Sequence, residues 1–394
     1  MPSTLSKPLQ YAALVVVIAH LDANLRFQIS RRAPLLRSLE KRVPLRLNFL
    51  LVDNTWCRIN RTRYRLRVYR QYPDGEDHRQ ARWRLDVDEF GVPLMLGGAV
   101  VLPGDIDIRT DDDLGYNEYV YSERCWFPRI QEQFANLRNN TPEACTRLLQ
   151  LTISAKVNSL IKPVAVHLSP YKVPLYESMK YMLGEFFGGR TTIRVKDFII
   201  ESKRILRFPI GVILKVKNLE LSNDISYDGS NPLLDVSSLV SVYLESNDSD
   251  SFDYHPILKA VTTLHIFDSS NGYDDDEDDV WPSVLMTLTN KNVFFKYASN
   301  RIPDHDYVDL VEDWMDRGRA IGTCYMMRVK GEDTAKRCLS QLAASEDVVE
   351  KSEGSITLRM RNSLALQVSY KKAFPIRRED QKWQLTLEVI TMEL

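Results

Sequence analysis

Cysteine is scarce and scattered in this chain of 394 residues: Cys57, Cys125, Cys145, Cys324 and Cys338 include no close pair. Zinc sites and thiol redox motifs bring two thiols within a few residues of each other, so neither is supported. An odd, dispersed set also fits a reducing compartment better than a disulfide framework. Glycine (16) and proline (18) are too few for a collagen-like or low-complexity chain. Net charge is almost absent. Lys and Arg number 52 against 53 Asp and Glu, so the whole chain is not drawn to nucleic acid or to an anionic membrane. The apolar stretch at residues 11–19, preceded by Lys7, has the look of a signal-peptide core. It falls far short of the ~20 residues that span a bilayer, and no small-residue cleavage site follows it. The expectation is a soluble intracellular protein of cytoplasm or nucleus, with no membrane partner.

Catalytic motifs are lacking too. None of His20, His78, His167, His255, His265 and His305 has another at the four-residue helical spacing of zinc proteases. There is no Gly-x-Ser-x-Gly elbow, no phosphate-binding loop ending in Lys-Ser/Thr, and no Gly-x-Gly-x-x-Gly turn. Asp105, Asp107 and Asp111 lack the central Gly and closing Glu of a calcium loop. His305-Asp306 with Asp309 reads as negative dressing of a helix N-terminus rather than a base and its orienter. The chain is therefore read as non-enzymatic, with no cofactor and no metal.

What is present is charge segregated along the chain. Residues 26–84 hold fifteen Arg and one Lys against five acids, whereas residues 85–119 hold nine acids and one Arg. Residues 223–279 hold fourteen acids and one Lys, including the run Asp274-Asp-Asp-Glu-Asp-Asp279, read as a solvated loop. Arg61, Arg63, Arg65 and Arg67 alternate with Thr62, Tyr64 and Leu66, and period two puts all four guanidinium groups on one strand face. The row reads as a solvated face neutralised by Asp86, Asp88, Asp105, Asp107 and Asp111 to Asp113. A nucleic-acid groove is the alternative.

At ~150 residues per domain the length suits two or three domains. Residues 1–44 read as three helices: 11–21, a second capped by Asp22 or Asn24 and running to Ser30, and a third opened by Pro34 and running to Lys41. Residues 45–150 switch to period two, with strands at 47–52 and 58–69 about an Asp53-Asn54 turn, and short ones at 83–87 and 106–108. Residues 151–394 open with a short strand at 151–153. A helix follows whose Leu175, Met179, Met182, Leu183, Phe186 and Phe187 lie on one stripe, stopped by Gly188-Gly189. An apolar-x-apolar strand then recurs at Ile193-x-Val195, Leu219-x-Leu221, Val242-x-Leu244 and Leu264-x-Ile266. Steps in the low twenties match the ~20–29-residue period of leucine-rich repeats and predict parallel strands with these side chains inside. Unrelated strands spaced by long loops are the alternative. Beyond them come a helix carrying Tyr307, Val311, Trp314 and Met315 closed by Gly318, and a strand at 324–329. A helix capped by Asp333 and a terminal meander at 355–360, 365–370 and 384–390 complete the chain. The fold class is α+β: a short helical N-terminal motif, a β-rich middle and an irregular leucine-rich-repeat-like αβ region.

Several stretches are similar to a nematode-expanded family of F-box-type proteins carrying a nematode domain of unknown function. They include Lys7-Pro-Leu-Gln-Tyr11, Pro34-Leu-Leu-Arg37, Val43-Pro-Leu-Arg-Leu47, Ile59-Asn-Arg-Thr-Arg-Tyr64, Val87-Asp-Glu-Phe-Gly91, Leu102-Pro-Gly-Asp-Ile106, Phe187-Gly-Gly-Arg190, Val311-Glu-Asp-Trp314, Ile321-Gly-Thr-Cys324 and Lys382-Trp383. The opening motif departs from the usual F-box, since Pro8 precedes Leu9 and no acid stands before Asp22. The resemblance implies a substrate-recognition subunit of a cullin-RING ubiquitin ligase. Its helical motif would dock a Skp-type adaptor through Leu9, Leu14, Val16, Val17, Ile18 and Leu21, and its C-terminal region would select a protein substrate. A stand-alone protein-binding module, or a nucleic-acid binder through the Arg row, are the other readings. Five consecutive apolar residues, Leu14 to Ile18, wrap a helix completely, so something must cover that helix on every side.

Overall fold

The computed structural model describes residues 10–71, 82–83, 86–87, 100–108, 146–157, 160–202, 205–221, 233–246, 256–268, 281–297, 304–329, 331–373 and 383–392. Packing divides the chain into two compact units, residues 1–217 with 225–238 and residues 218–224 with 239–394. The helical motif of residues 1–44 and the β-rich middle thus share the first unit with part of the segment expected to begin at 151.

The first unit opens with α1 (Tyr11–His20), α2 (Ala23–Arg32) and α3 (Pro34–Arg42). Asp22 caps α2 by accepting from the Asn24 N–H at 2.9 Å, and Pro34 starts α3, where its missing N–H costs nothing. Strands β1 (Leu45–Val52), β2 (Trp56–Ile59) and β3 (Thr62–Gln71) follow. The strand expected over 58–69 is broken by a second turn at Asn60, whose φ of 54° is a left-handed conformation that asparagine tolerates. Its side-chain oxygen accepts from the backbone N–H of Asn48 at 2.9 Å, which ties the turn to β1. Short pieces β4 (Arg82–Trp83) and β5 (Ile106–Asp107) lead to β6 (Thr146–Val157) and β7 (Leu160–Pro170). The three-residue strand expected at 151–153 is the centre of β6, and β7 has no counterpart in the sequence reading.

Next, α4 (Leu175–Phe187) buries Leu175, Met179, Met182, Leu183 and Phe187, as its stripe requires. Gly188 caps it, and Gly189 takes the positive φ of 69° that turns the chain into β8 (Ile193–Ile200). β9 (Ile205–Leu206) pairs with β5, and β10 (Leu214–Leu221) carries the chain from one unit to the other. The main sheet of the first unit runs β8-β1-β2-β3-β6-β7, with β4 on β3. β1 and β8 are parallel, with Leu45 beside Ile193 and Val52 beside Ile200, and the remaining pairs are antiparallel. Its aromatic core joins Phe27 to Phe186 (centroids 4.6 Å apart) and Phe187 to Phe208 (5.9 Å).

The second unit alternates strand and helix. It contains β11 (Ser241–Ser246), α5 (Pro256–Ala260), β12 (Thr263–Asp268), α6 (Trp281–Thr287), β13 (Asn292–Tyr297), α7 (Asp304–Arg317) and β14 (Cys324–Val329). The last four residues of β10 pair with β11, and β11 to β14 follow in order, all parallel. Leu219, Val242, Leu264, Val293 and Tyr325 stand side by side across these strands and are all buried. The repeat step read from 219, 242 and 264 therefore is a stack of parallel strands, and it continues through two longer repeats. Val195 is equally buried, in β8 of the first unit. Finally α8 (Glu332–Leu342) precedes β15 (Val348–Lys351), β16 (Ser355–Arg359), β17 (Leu364–Lys372) and β18 (Trp383–Thr391). This meander adds to β14 through β18, antiparallel throughout. The N-cap of α8 is Gly331 and makes no side-chain cap bond, so Asp333 lies in the first turn instead of capping it.

Candidate interaction surfaces

The first surface rests on a buried cluster. Glu40 on α3 is fully buried, and its carboxylate accepts from Arg26 Nε at 2.8 Å, from the two Arg190 terminal nitrogens at 2.8 and 2.9 Å, and from Ser30 Oγ at 2.7 Å. Two cations around one anion leave an excess positive charge inside the protein. The remaining guanidinium donors reach the carbonyls of Glu40, Val43 and Pro44 at the end of α3, and Arg190 reaches that of Phe186 at the end of α4. Helix C-termini carry partial negative charge, so the excess cation is compensated there. Burial alone would raise the Glu40 carboxyl, but the Arg190 hydrogen bonds and both guanidinium charges outweigh it and hold the group below the ordinary carboxylate range.

On this mount, α1 buries only Ile18, at 1% exposure, and leaves Val16 57% and Val17 42% exposed. Leu14, Val15 and Leu21 are half-buried, and Leu9 lies outside the described residues. Of the expected adaptor-contacting residues, Ile18 faces the interior of the unit and is unavailable to a partner. Leu35 at the start of α3 is 96% exposed and Leu25 on α2 is exposed as well, two apolar positions that sequence reasoning missed. The helix that was expected to be covered on every side is covered along one line only.

The Arg row is less regular than period two suggested. Arg61 lies before β3 begins, and only Arg63, Arg65 and Arg67 alternate along the strand with buried Tyr64, Leu66 and Val68. The Arg63 guanidinium lies 3.6 Å from the centre of the Trp56 ring, and Arg65 stands opposite Trp56 across the ladder. Asp86 and Asp105 do not neutralise this row. Asp86 accepts from the Tyr171 hydroxyl and from the Leu175 N–H that begins α4, both at 2.6 Å. Asp105, whose side chain is fully buried, takes Lys180 and Arg207. Asp88 and Asp111 to Asp113 lie outside the described residues.

The third surface is the outward face of the parallel strands in the second unit. Along β11 to β14 the residues at 242 and 244, 264 and 266, 293 and 295, and 325 and 327 are buried and the middle one faces out: Tyr243, His265, Phe294 and Met326. Register sets them side by side. Tyr243 stacks on His265 at 3.9 Å and 8°, and His265 on Phe294 at 4.5 Å and 6°. Lys296 Nζ sits 4.3 Å over Phe267 in the next row. A polar row borders the column, where Ser241 Oγ donates to Asn218 Oδ1 at 2.9 Å and Asn292 Nδ2 to Thr263 Oγ1 at 3.4 Å. Part of the signal was present in the sequence, at the x of the pairs starting at 242 and 264, whereas Phe294 and Met326 lie in strands beyond the pairs read there.

Burial between two rings pulls the His265 imidazole below its ordinary value, so it is neutral in the folded protein near neutral pH. The unfolded chain then binds more protons than the folded one as pH falls through about 6.5, and stability falls with it. His265→Phe should therefore lessen the drop in melting temperature of the second unit between pH 7 and pH 5. An unchanged pH slope would refute this role.

Among the described residues no group of three or more His, Cys, Asp or Glu is placed to hold a metal, and no helix is long and apolar enough to cross a membrane. Cys57, Cys324 and Cys338 are buried and none is in a disulfide. These surfaces offer apolar, aromatic and cationic contact, which is the chemistry of recognition. Residues 174–331, from α4 to the end of β14, match the family model described as Domain of unknown function (DUF3557). No curated protein matches the chain, and no solved structure does.

Proposed function

We propose that this chain is a non-enzymatic, F-box-type substrate-recognition subunit of a cullin-RING ubiquitin ligase, acting in cytoplasm or nucleus. The helical motif docks a Skp-type adaptor, and the outward face of the second unit takes a protein substrate. The observation that carries the reading is the exposed apolar surface of α1 to α3 on a mount locked by Arg26, Glu40 and Arg190. Large apolar side chains exposed on a firmly held helical motif favour a covering partner. Each Val covered there contributes on the order of 1.5–3 kcal/mol. In the second unit, the column of Tyr243, His265 and Phe294 supplies the flat aromatic contact common at protein interfaces.

The paired substitution Val16→Asp with Val17→Asp tests it. Both side chains are solvent-exposed, so the melting temperature should hold within about 2 °C, in keeping with surface changes. Adaptor and cullin should disappear from affinity purifications. A wild-type chain that never retains a Skp-type adaptor overturns the ligase reading and leaves the second one, a stand-alone protein-binding module that uses the aromatic column alone.

A further inference from the structure

Three strands of the first unit share one pattern: Leu45-Arg-Leu-Asn in β1, Ile193-Arg-Val-Lys in β8 and Leu214-Lys-Val-Lys in β10. The first and third residues of each are buried and the second and fourth exposed, which the period of two dictates. Arg46, Arg194 and Lys215 therefore emerge from one face of neighbouring strands, with Lys196 and Lys217 in the row beside them. The parallel register places Arg46 directly beside Arg194. Like charges on neighbouring register positions destabilise a sheet. Among the described residues Arg46, Arg194, Lys196 and Lys217 make no ion pair, and Lys215 has a single long one, 3.6 Å to the half-buried Asp235. Ile213, two positions before Lys215, adds an exposed apolar side chain to the rim.

We propose that this cation grid binds a phosphorylated segment of a protein partner, the phosphate seated between Arg46 and Arg194 with acidic neighbours on Lys196, Lys215 and Lys217. Strands lie about 4.8 Å apart, so two guanidinium forks converge on one tetrahedral group. A phosphoserine or phosphothreonine brings nearly two negative charges and three acceptor oxygens, enough to serve both forks, whereas one carboxylate brings half the charge. Nucleic acid fits less well. On the described parts of β1, β8 and β10 no exposed aromatic residue alternates with the five cations for base stacking, and the ring of Phe49, further along β1, is covered by the Arg58 guanidinium at 4.5 Å. A bilayer fits less well because the grid is three strands wide and the chain has no net positive charge to draw it to an anionic surface. The proposal stands apart from adaptor docking, since it concerns a different face and a different chemistry.

Fluorescence anisotropy on the full chain tests it, with a degenerate peptide library fixed at a central phosphoserine and the same library with serine. The phosphorylated library should bind at least tenfold more tightly. Arg46→Gln and Arg194→Gln should each weaken it about tenfold while the melting temperature stays level or rises, because a like-charge contact is removed. Equal binding of the two libraries overturns the proposal, and so does an Arg46→Gln chain that binds as the wild type does. A twelve-nucleotide single strand, or vesicles of phosphatidylcholine with phosphatidylserine, binding more tightly than the phosphorylated library overturns the choice of partner. A variant that melts earlier is replaced by Arg46→Lys, which keeps the charge but not the fork and should still lose affinity.

Discussion

Glu40→Gln should destabilise the first unit by about 3–5 kcal/mol, the usual effect of removing one partner from a buried ion pair. The amide can still accept from one guanidinium, but two buried cations then face each other with only helix-end carbonyls to offset them. Urea titration measures the loss, and hydrogen exchange at the β1 and β8 amides should report it locally. Glu185→Gln supplies the contrast. Its partner Arg37 and Glu185 itself are each 43% exposed, so that change should stay within about 1 kcal/mol. Similar losses for the two variants would mean that Glu40 is not the anchor. The pH dependence follows from the lowered carboxyl of Glu40. Its stabilisation is fully present above the unfolded value near pH 4.3 and is lost as pH falls through the lower folded value.

Trp314→Ala should destabilise the second unit by a similar amount, about 3–5 kcal/mol, as truncation of a large buried aromatic does. Trp314 is fully buried on α7, edge-to-face with Tyr325 of β14 at 4.7 Å. The Tyr325 hydroxyl and the Arg319 guanidinium both donate to the Leu288 carbonyl just past α6, and Arg319 also reaches Met286. One indole thus fills the space where α6, α7 and β14 meet. Its own N–H is buried and has no acceptor among the described residues. Trp314→Phe removes that unsatisfied donor while keeping a ring, so it should lose far less than Trp314→Ala. Calorimetry on the two variants decides the matter, and equal losses would show that the indole nitrogen contributes what the ring was credited with.

The elements that could be read from the sequence are those set by local pattern. The stripe of α4, the proline start of α3, the glycine stop at Gly318 and the apolar-x-apolar strands from Leu219 to Ile266 are consequences of period and turn chemistry within a few residues. What could not be read depends on distant partners. Asp86 follows an Arg-rich segment in sequence and looks like its counter-charge, yet its partner Tyr171 lies 85 residues further on. β7 has no clean alternation because it is exposed on both faces, so burial left no imprint on its composition. The stacked column was visible only as single residues, since register across three strands is what makes Tyr243, His265 and Phe294 neighbours. The cation grid joins residues near 46, 194 and 216, which no window along the chain brings together.

The triad of Arg26, Glu40 and Arg190 also sets a timetable. Glu40 and Arg190 are separated by 150 residues, and β1 waits for β8 across a similar interval. At a synthesis rate of about 5–20 residues per second, the N-terminal helices leave the ribosome roughly 8–30 s before the guanidinium that completes their cluster. During that interval Glu40 has one cation instead of two, and β1 lacks its parallel neighbour. The helical motif is thus made well before it is secured, and in that period Leu25, Leu35 and the apolar side of α1 are open to chaperones.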